Sequence, residues 1–488
     1  MKSYFWLIII VLLHITIYLA PIASKAQVIT GGDYYSLAVC NDSTVKAWGA
    51  NNNGQLGRGY LISGCHCDPL PASVIGLTNI LAVVAGGSHS LALKSDGTVW
   101  AWGYNKFGQL GNGTANTTGC FCDTVPAQVN GLNGIIAIAA GIDHSLALKN
   151  DGTVWAWGYN GSGDLGDNTL IDKYFPVLVN GLIGITRIGC GGTHSLALKS
   201  DGTVWAWGYN LDGELGDGTT TNRLTAVQVS GLTSIVDIKG GFSTSFALKN
   251  DSTVWSWGTG IALGDSNITY SATPIQVHGP GNIKFLTGIK GISCNSEADH
   301  ILAFKNDGSV WAWGSNVSGQ LGNGTFNATG IPIQVSALIG ITAVAGGTNH
   351  SLALRNNGTV WAWGTNYYGE LGNGIVSANS CTCDTLPGQI ISLCPVILNI
   401  PSLREIKSHV MVYPNPISEI GKIVFENGQN TLQNKIEIYT YSGLKLQESF
   451  MQENTYLIER KDYQMGLYLF KIIEQSGKIV SGGKFIIQ

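Results

Sequence analysis

One phrase recurs along this chain and leaves few folds open to it. Its clearest copy is Gly86-Gly87-Ser88-His89-Ser90-Leu91-Ala92-Leu93-Lys94-Ser95-Asp96-Gly97-Thr98-Val99-Trp100-Ala101-Trp102-Gly103. The second tryptophan returns as Trp48, Trp102, Trp157, Trp207, Trp257, Trp313 and Trp363, at intervals of 50 to 56 residues. Thirteen of the 14 tryptophans sit in the phrase, which ties them to the repeat itself. A fixed period of this length marks a solenoid or a propeller.

The phrase accounts for itself physically. Asp96-Gly97 between two apolar stretches is a strong hairpin signal, because a two-residue type I′ turn needs φ > 0 at both positions. Such a turn sets Lys94 opposite Val99, Leu93 opposite Trp100, Ala92 opposite Ala101 and Leu91 opposite Trp102. Side chains alternate across a sheet, so one face is bulky (Leu91, Leu93, Trp100, Trp102) and the other small (Ala92, Val99, Ala101). The bulky face of one unit packs best on the small face of an identical neighbour. Head-to-tail packing of that kind runs on as a filament or closes as a ring. Seven units closing on an axis make a seven-bladed β-propeller. Each buried tryptophan hides about 150–250 Å², on the order of 3 kcal/mol of gross stabilisation, so these rings are expected in the core.

Charged residues make up only 12% of the 488, and there are 66 glycines, which suits a turn-rich all-β chain better than a disordered one. Between residues 27 and 402 there are 15 lysines and arginines against 22 acids, a formal charge of −7. A phosphate backbone needs clustered basic residues, so nucleic acid is not an expected partner. At the start, Lys2 precedes an apolar run from Phe5 to Ala20, and Ser24-Lys25-Ala26 offers small residues for cleavage. This reads as a signal peptide with Gln27 as the mature start, and no later stretch is long and apolar enough to span a membrane.

Five repeats carry a histidine before the Ser-Leu-Ala-Leu strand: His89, His144, His194, His300 and His350. Spaced around a ring they cannot converge on one ligand, and the expectation is a buried imidazole bonded to backbone. Thr244 replaces the histidine in repeat five, and an insertion from Gly279 to Ser296 lengthens the link to repeat six. After each hairpin comes a glycine turn such as Gly108-Gln109-Leu110-Gly111, then a variable loop and a short outer strand. The variable loops share one rim, which is where function is expected.

Ten cysteines in an exported chain favour disulfides. Six form three Cys-x-Cys-Asp-x-x-Pro motifs: Cys65, Cys67 and Asp68; Cys120, Cys122 and Asp123; Cys381, Cys383 and Asp384. They lie in the loops of repeats one, two and seven, which are consecutive in a closed ring. This sector is the candidate binding patch. Disulfides would staple these loops without any ligand, and thiolates with the aspartates could also hold a metal, although the paired Cys-x-x-Cys zinc spacing is absent. Cys40 and Cys394 flank the seam of the ring, so a closing disulfide is compatible with the sequence, and Cys190 and Cys294 read as small core residues.

The phrase Gly-Gly-x-His-Ser-Leu-Ala-Leu…Trp-Gly…Gly-x-Leu-Gly resembles the regulator of chromosome condensation repeat, whose members build seven-bladed propellers. That family includes a nuclear exchange factor for a small GTPase and secreted bacterial propellers that inhibit β-lactamases. A signal peptide is at odds with the nuclear role, and repeat similarity specifies a scaffold, not a partner. From Ile400 onward the tryptophans stop. Tyr413-Pro414-Asn415-Pro416, Ile436-Glu437-Ile438-Tyr439, Gly466-Leu467-Tyr468 and Lys484-Phe485-Ile486-Ile487-Gln488 together resemble the C-terminal sorting domain of type IX secretion in Bacteroidetes-group bacteria. That resemblance implies a small β-sandwich, contact with the secretion machinery, and release or attachment at the outer surface. The expected domains are a signal peptide at 1–26, a propeller at 27–400, a linker at 401–410 and the sorting sandwich at 411–488.

No metalloprotease, serine-hydrolase, phosphate-loop or calcium-loop motif is present. A propeller sialidase would show Asp boxes and an arginine cluster, whereas Ser95-Asp96-Gly97-Thr98 has the wrong spacing and the propeller holds only Arg58, Arg187, Arg223 and Arg355. Glu297 and Asp299 are a conceivable acid pair, but solvated loop charges explain them as well. The expectation is therefore a non-enzymatic, exported propeller without a cofactor that binds an unknown protein or glycan through one rim. The alternatives are an extracellular hydrolase with a loop-borne site and a structural surface-coat protein.

Overall fold

The Asp-Gly hairpin sets the geometry of every blade, in a register one residue away from the expected one. In the computed structural model Leu93 pairs with Val99, Leu91 with Ala101, Ala92 with Trp100 and Ser90 with Trp102. Gly97 adopts φ +79°, but Asp96 does not share the left-handed region, so the two-residue type I′ turn is not formed. The Asp96 carboxylate accepts hydrogen bonds from the Thr98 N–H (3.0 Å) and hydroxyl (2.6 Å), which favours a longer turn. Leu91, Leu93, Val99 and Ala101 therefore share one face, and Ser90, Ala92, Trp100 and Trp102 the other. Head-to-tail packing survives the correction, because the two faces still differ.

The structure describes residues 29–61, 67–116, 121–376, 383–390, 393–394, 409–413, 415, 417–426, 434–440, 445–451, 455–463, 466–474 and 479–487. The expected signal peptide, most of the linker at 401–410, and Cys65, Cys120 and Cys381 lie outside them. Blade two is typical, with strand A at Ile80–Ala85, B at His89–Lys94, C at Val99–Tyr104 and D at Cys122–Gln128, hydrogen-bonded in the order A-B-C-D. Seven such sheets follow one another from Ile29–Gly31 to Asp384–Gln389, each built from four consecutive strands. The A–B turns and the long C–D connections leave the blades at one end, here termed the loop face. The B–C hairpins and the D–A links leave at the other.

Between neighbouring blades, Trp102 packs with Ala92 on Leu37, Val45 and Ala47 of blade one. Trp157 packs likewise on Leu91, Leu93 and Val99 of blade two. All seven inner tryptophans are fully buried. Each indole N–H also donates to a backbone carbonyl in the C–D turn of the preceding blade, as Trp102 does to Gln55 O at 2.8 Å. Burial and hydrogen bond together fix each blade on the last.

The main partner of each histidine is a side chain of the next blade rather than the expected backbone, and His89 also has a backbone partner, at Ile142. His89 Nε2 lies 2.9 Å from Ser145 Oγ, His144 Nε2 3.0 Å from Ser195, His194 Nε2 2.8 Å from Ser245 and His300 Nε2 2.9 Å from Ser351, each serine on the next blade. Those serines donate their protons to carbonyls, Ser145 to Gln109 O and Ser195 to Asp164 O. The imidazole must then donate through Nε2–H. Burial pushes His89 and His194 down to about 3, and His144 and His300 to about 4.

Among the described residues no strand is exchanged between first and last blades, and other contacts close the ring. Cys40 and Cys394 form a disulfide across the seam. Trp48 Nε1 donates to Glu370 O at 2.7 Å, and Gly374 N to Pro69 O at 3.1 Å. Cys190 is a buried free thiol, as expected, whereas Cys294 is only half-buried and lines the axis.

The tail is a sandwich of a three-stranded sheet (His409–Tyr413, Ile420–Glu426, Thr455–Glu459) and a four-stranded one in the order Lys445–Phe450, Lys435–Thr440, Gly466–Ile473, Ile479–Ile487. Ile423 and Ile458 from the first meet Ile436, Ile438, Phe470 and Phe485 from the second in one core. Asn415 of the Tyr-Pro-Asn-Pro motif accepts from the Ile486 N–H at 2.9 Å, which fastens the motif to the last strand.

Candidate functional site

On the loop face the A–B turns form a collar around the axis. Asp33 N donates to Gly87 O, Gly87 N to Gly141 O, Ile142 N to Gly192 O, Gly192 N to Gly241 O, Phe242 N to Ala298 O and Thr348 N to Gly32 O, at 3.1–3.3 Å. The A–B turn of blade six, whose residues Cys294 to Ala298 take in the end of the insertion, runs across the hole in this collar. Asn295 Nδ2 donates to Gly31 O of blade one at 2.7 Å, and the Cys294 thiol to Gly240 O of blade five at 3.2 Å. A Cβ on Gly87 of blade two would come within 2.5 Å of Glu297 Oε1, and one on Gly192 of blade four within 3.2 Å of Ser296 O. This turn thus plugs the axis.

The plug carries Glu297 to Asp33, and the two carboxyls are hydrogen-bonded. Burial raises both above the usual carboxylate range, and the charge of Asp33 raises Glu297 further. Two carboxyls this close share a proton. Asp299, which the sequence offered as the partner of Glu297, is exposed instead, and Glu297 is not a solvated loop charge. The contact is closer than the roughly 5 Å or more that glycoside hydrolysis places between its two acids. Nearby, burial pushes Asp143 up to about 6, and its carboxylate accepts from Gln109 Nε2 at 2.8 Å.

Two aromatic groups flank this acidic centre. At the junction of blades seven and one, Tyr34 and Tyr368 have ring centroids 5.3 Å apart, and Tyr367 stands edge-on to Tyr368 at 4.7 Å. At the junction of blades two and three, Phe107 meets Tyr159 at 5.2 Å and Tyr104 at 6.5 Å, with the Lys106 ammonium 5.3 Å from the Phe107 centroid. Among the described residues, every ring–ring contact of the loop face falls between blade seven and the near edge of blade three. Tyr34 and Tyr367 are exposed.

The cysteine motifs belong to the same sector. Asp68, Asp123 and Asp384 pair with Gly49, Gly103 and Gly364, one position in three blades. Cys67, Cys122 and Cys383 are disulfide-bonded, with partners outside the described residues. Asp68 lies 3.3 Å from Arg58, whose guanidinium also donates to Ala47 O and Ser73 O. Asp123 accepts from Asn112 (2.9 Å) and Asn116 (3.1 Å), whereas Asp384 faces solvent. Two of the three aspartates therefore brace their own loops. The acid pair and the aromatic groups were not singled out in the sequence. Only the spacing of Tyr34, Phe107 and Tyr367 relative to the repeat could have signalled them.

Residues 16–325, well over half of the chain, match the family described as RCC1-like domain. The chain belongs to that family. RCC1 repeats also match at 307–354 and 341–370, and residues 411–488 match the secretion system C-terminal sorting domain. The sorting tail indicates export by type IX secretion, to the cell surface or the medium. Curated relatives of this RCC1-like chain include the probable E3 ubiquitin-protein ligase HERC4 of Rattus norvegicus, 39% identical over 140 residues, which cover 28% of this chain and 13% of that one. The RCC1 domain-containing protein RUG3, mitochondrial, of Arabidopsis thaliana is 33% identical over 140 residues, 28% and 29% of the two chains. The matched part thus spans less than a third of these relatives. Among solved structures, human WBSCR16 superposes with a TM-score of 0.61 at 25% identity, covering 69% of this chain and 89% of that one. Yeast RCC1 (Prp20), solved bound to Kap60, gives a TM-score of 0.62 at 24% identity over 77% and 90%, a likeness of fold. Among the described residues no helix is long and apolar enough to cross a membrane.

Proposed function

We propose that this exported RCC1-like propeller binds a protein or glycan through the sector of its loop face formed by blades seven, one and two. One observation carries the reading. The aromatic groups of Tyr34, Tyr367 and Tyr368 and of Tyr104, Phe107 and Tyr159 coincide with the three cysteine-bearing loops and adjoin the Asp33–Glu297 centre. Rigid rings with an apolar body and a polar tip are the side chains that binding surfaces use most. Aromatic side chains presented on a closed ring lose little freedom on binding, which lowers the cost of association. The residues proposed to make contact are Tyr34, Phe107 and Tyr367, with Cys65, Cys67, Asp68, Cys120, Cys122, Asp123, Cys381, Cys383 and Asp384 as the loop framework. The function needs no bond chemistry.

The test is capture on immobilised, oxidised protein from Gln27 onward, using glycan arrays and outer-envelope and host extracts. The control carries the short repeat-four loop in place of the loops at Cys65, Cys120 and Cys381. A ligand held by the native protein and lost by both the control and Tyr34→Ala/Phe107→Ala/Tyr367→Ala supports the reading. Equal capture by all forms would leave a surface-coat role, and turnover of a polysaccharide would leave a hydrolase.

A further inference from the structure

Behind the plug, the seven A strands enclose an axial cavity of about 460 Å³. This is within the range of small-molecule sites, roughly 300–1,000 Å³. Cys294, Asn295 and Ser296 line its loop-face end, and the exposed side chains Leu81, Ile136 and Lys290 line the other. An A strand of six residues gives it a depth on the order of 20 Å. Its walls are unlike one another. Blades one, two, three and seven contribute aliphatic side chains, among them Val84, Ala139 and Val344. Blades four, five and six add Ile188, Val236 and Ile292 and also supply the charged side chains, Arg187, Asp237, Lys239 and Lys290. Lys239 lies 3.6 Å from Asp237, but Arg187 and Lys290 have no ion-pair partner among the described residues. Three cations thus face one carboxylate in a propeller whose formal charge is −7.

The rim of the mouth is apolar where it should be solvated. Leu81 is 47% exposed, Ile136 48% and Val236 40%, beside exposed Lys290. A concave, low-dielectric wall strengthens the field of the cations it holds. An apolar wall facing unpaired cations is complementary to an anion with an apolar body.

From this we infer that the axial cavity is a binding site for an aliphatic carboxylate, its chain against blades one to three and its carboxylate toward Arg187 and Lys290. The site lies at the opposite end of the propeller from the loop-face sector and does not depend on it.

The test uses the chain from Gln27 to Gln488 and carboxyl-13C decanoate, followed by NMR and isothermal titration calorimetry, with acetate and decan-1-ol as controls. Saturable binding of one decanoate per chain is expected, at least tenfold tighter than either control. Arg187→Glu/Lys290→Glu should weaken it at least tenfold. Leu81→Glu/Ile136→Glu, which alters only exposed rim side chains, should do the same while leaving the melting temperature unchanged. Tyr34→Ala on the loop face should leave it unaltered. Absence of saturable decanoate binding, equal binding of decan-1-ol, or indifference to the folded rim variant would overturn the assignment.

Discussion

His350 Nε2 lies 2.9 Å from Ser36 Oγ, a contact between residues 314 apart that joins the last blade to the first. Ser36 in turn donates to Glu370 O, the carbonyl that also receives the Trp48 indole N–H. The seam of the ring thus repeats the histidine–serine–carbonyl link found at blades two to three, three to four, four to five and six to seven.

Two junctions depart from the rule. At blades one to two Tyr35 stands in for the histidine, with Ser90 Oγ donating to its hydroxyl at 3.1 Å, and at blades five to six both partners are replaced. Thr244 stands where blade five would have its histidine, and Ile301 stands where blade six would have the serine. Thr244→His alone would place an imidazole N–H against a buried isoleucine. It should lower stability by about 1–3 kcal/mol, the cost of an unsatisfied buried donor. Adding Ile301→Ser should recover part of that loss. Urea unfolding of the two single variants and the double variant measures the coupling. Additive effects would mean that the link is not the unit of blade joining.

Cys40 and Cys394 close the ring covalently, at a sequence separation of 354. Cys40→Ala/Cys394→Ala should therefore lower stability by about 2–4 kcal/mol. This pair is preferable to a reducing agent, which would also open the disulfides of Cys67, Cys122 and Cys383. The measurement is denaturant unfolding of the oxidised variant against the parent.

Stability should peak in mildly acid solution. Burial pushes Asp164 and Glu370 up to about 7 and Glu214 to about 8. The folded protein then holds protons that the unfolded chain releases above about pH 4, so these groups destabilise it as pH rises through 8. The buried histidines act in the other sense. Their folded values near 3–4 lie below the unfolded value of about 6.5, so stability falls as pH drops below 6.5. The two trends oppose each other between about pH 4 and 6.5, and only the acids act above it. Melting temperature should thus fall from pH 6.5 to 8.5. Asp164→Asn/Glu214→Gln/Glu370→Gln should flatten that limb, since Gln55, Gln109 and Gln320 occupy the same position in other blades.

What could be read in the sequence follows from where the partners lie. Trp102 and its six counterparts report a repeat, and a repeat of that period sets the blades, so the ring was legible. The hairpin register was not, because Asp96-Gly97 suits two turns and the choice rests on the Asp96–Thr98 hydrogen bonds. The partner of His89 was hidden because Ser145 belongs to the next copy of the phrase. The Asp33–Glu297 contact was hidden more deeply. The insertion from Gly279 to Ser296 was visible as extra length, but nothing in its composition shows that it ends across the axis.

That contact gives the last prediction. Glu297 is raised first by burial and then by the charge of Asp33. Its side-chain carboxyl, followed by 13C NMR on glutamate-labelled protein, should titrate well above the ordinary glutamate range. Asp33→Asn removes the second cause and keeps the first, so the midpoint should fall without reaching the ordinary value. Gly87→Ala should disturb the same signal from another blade, because its Cβ would meet Glu297 Oε1 at 2.5 Å. A wild-type Glu297 that titrates near pH 4.3, the unperturbed value, would mean that the plug does not close the axis in solution.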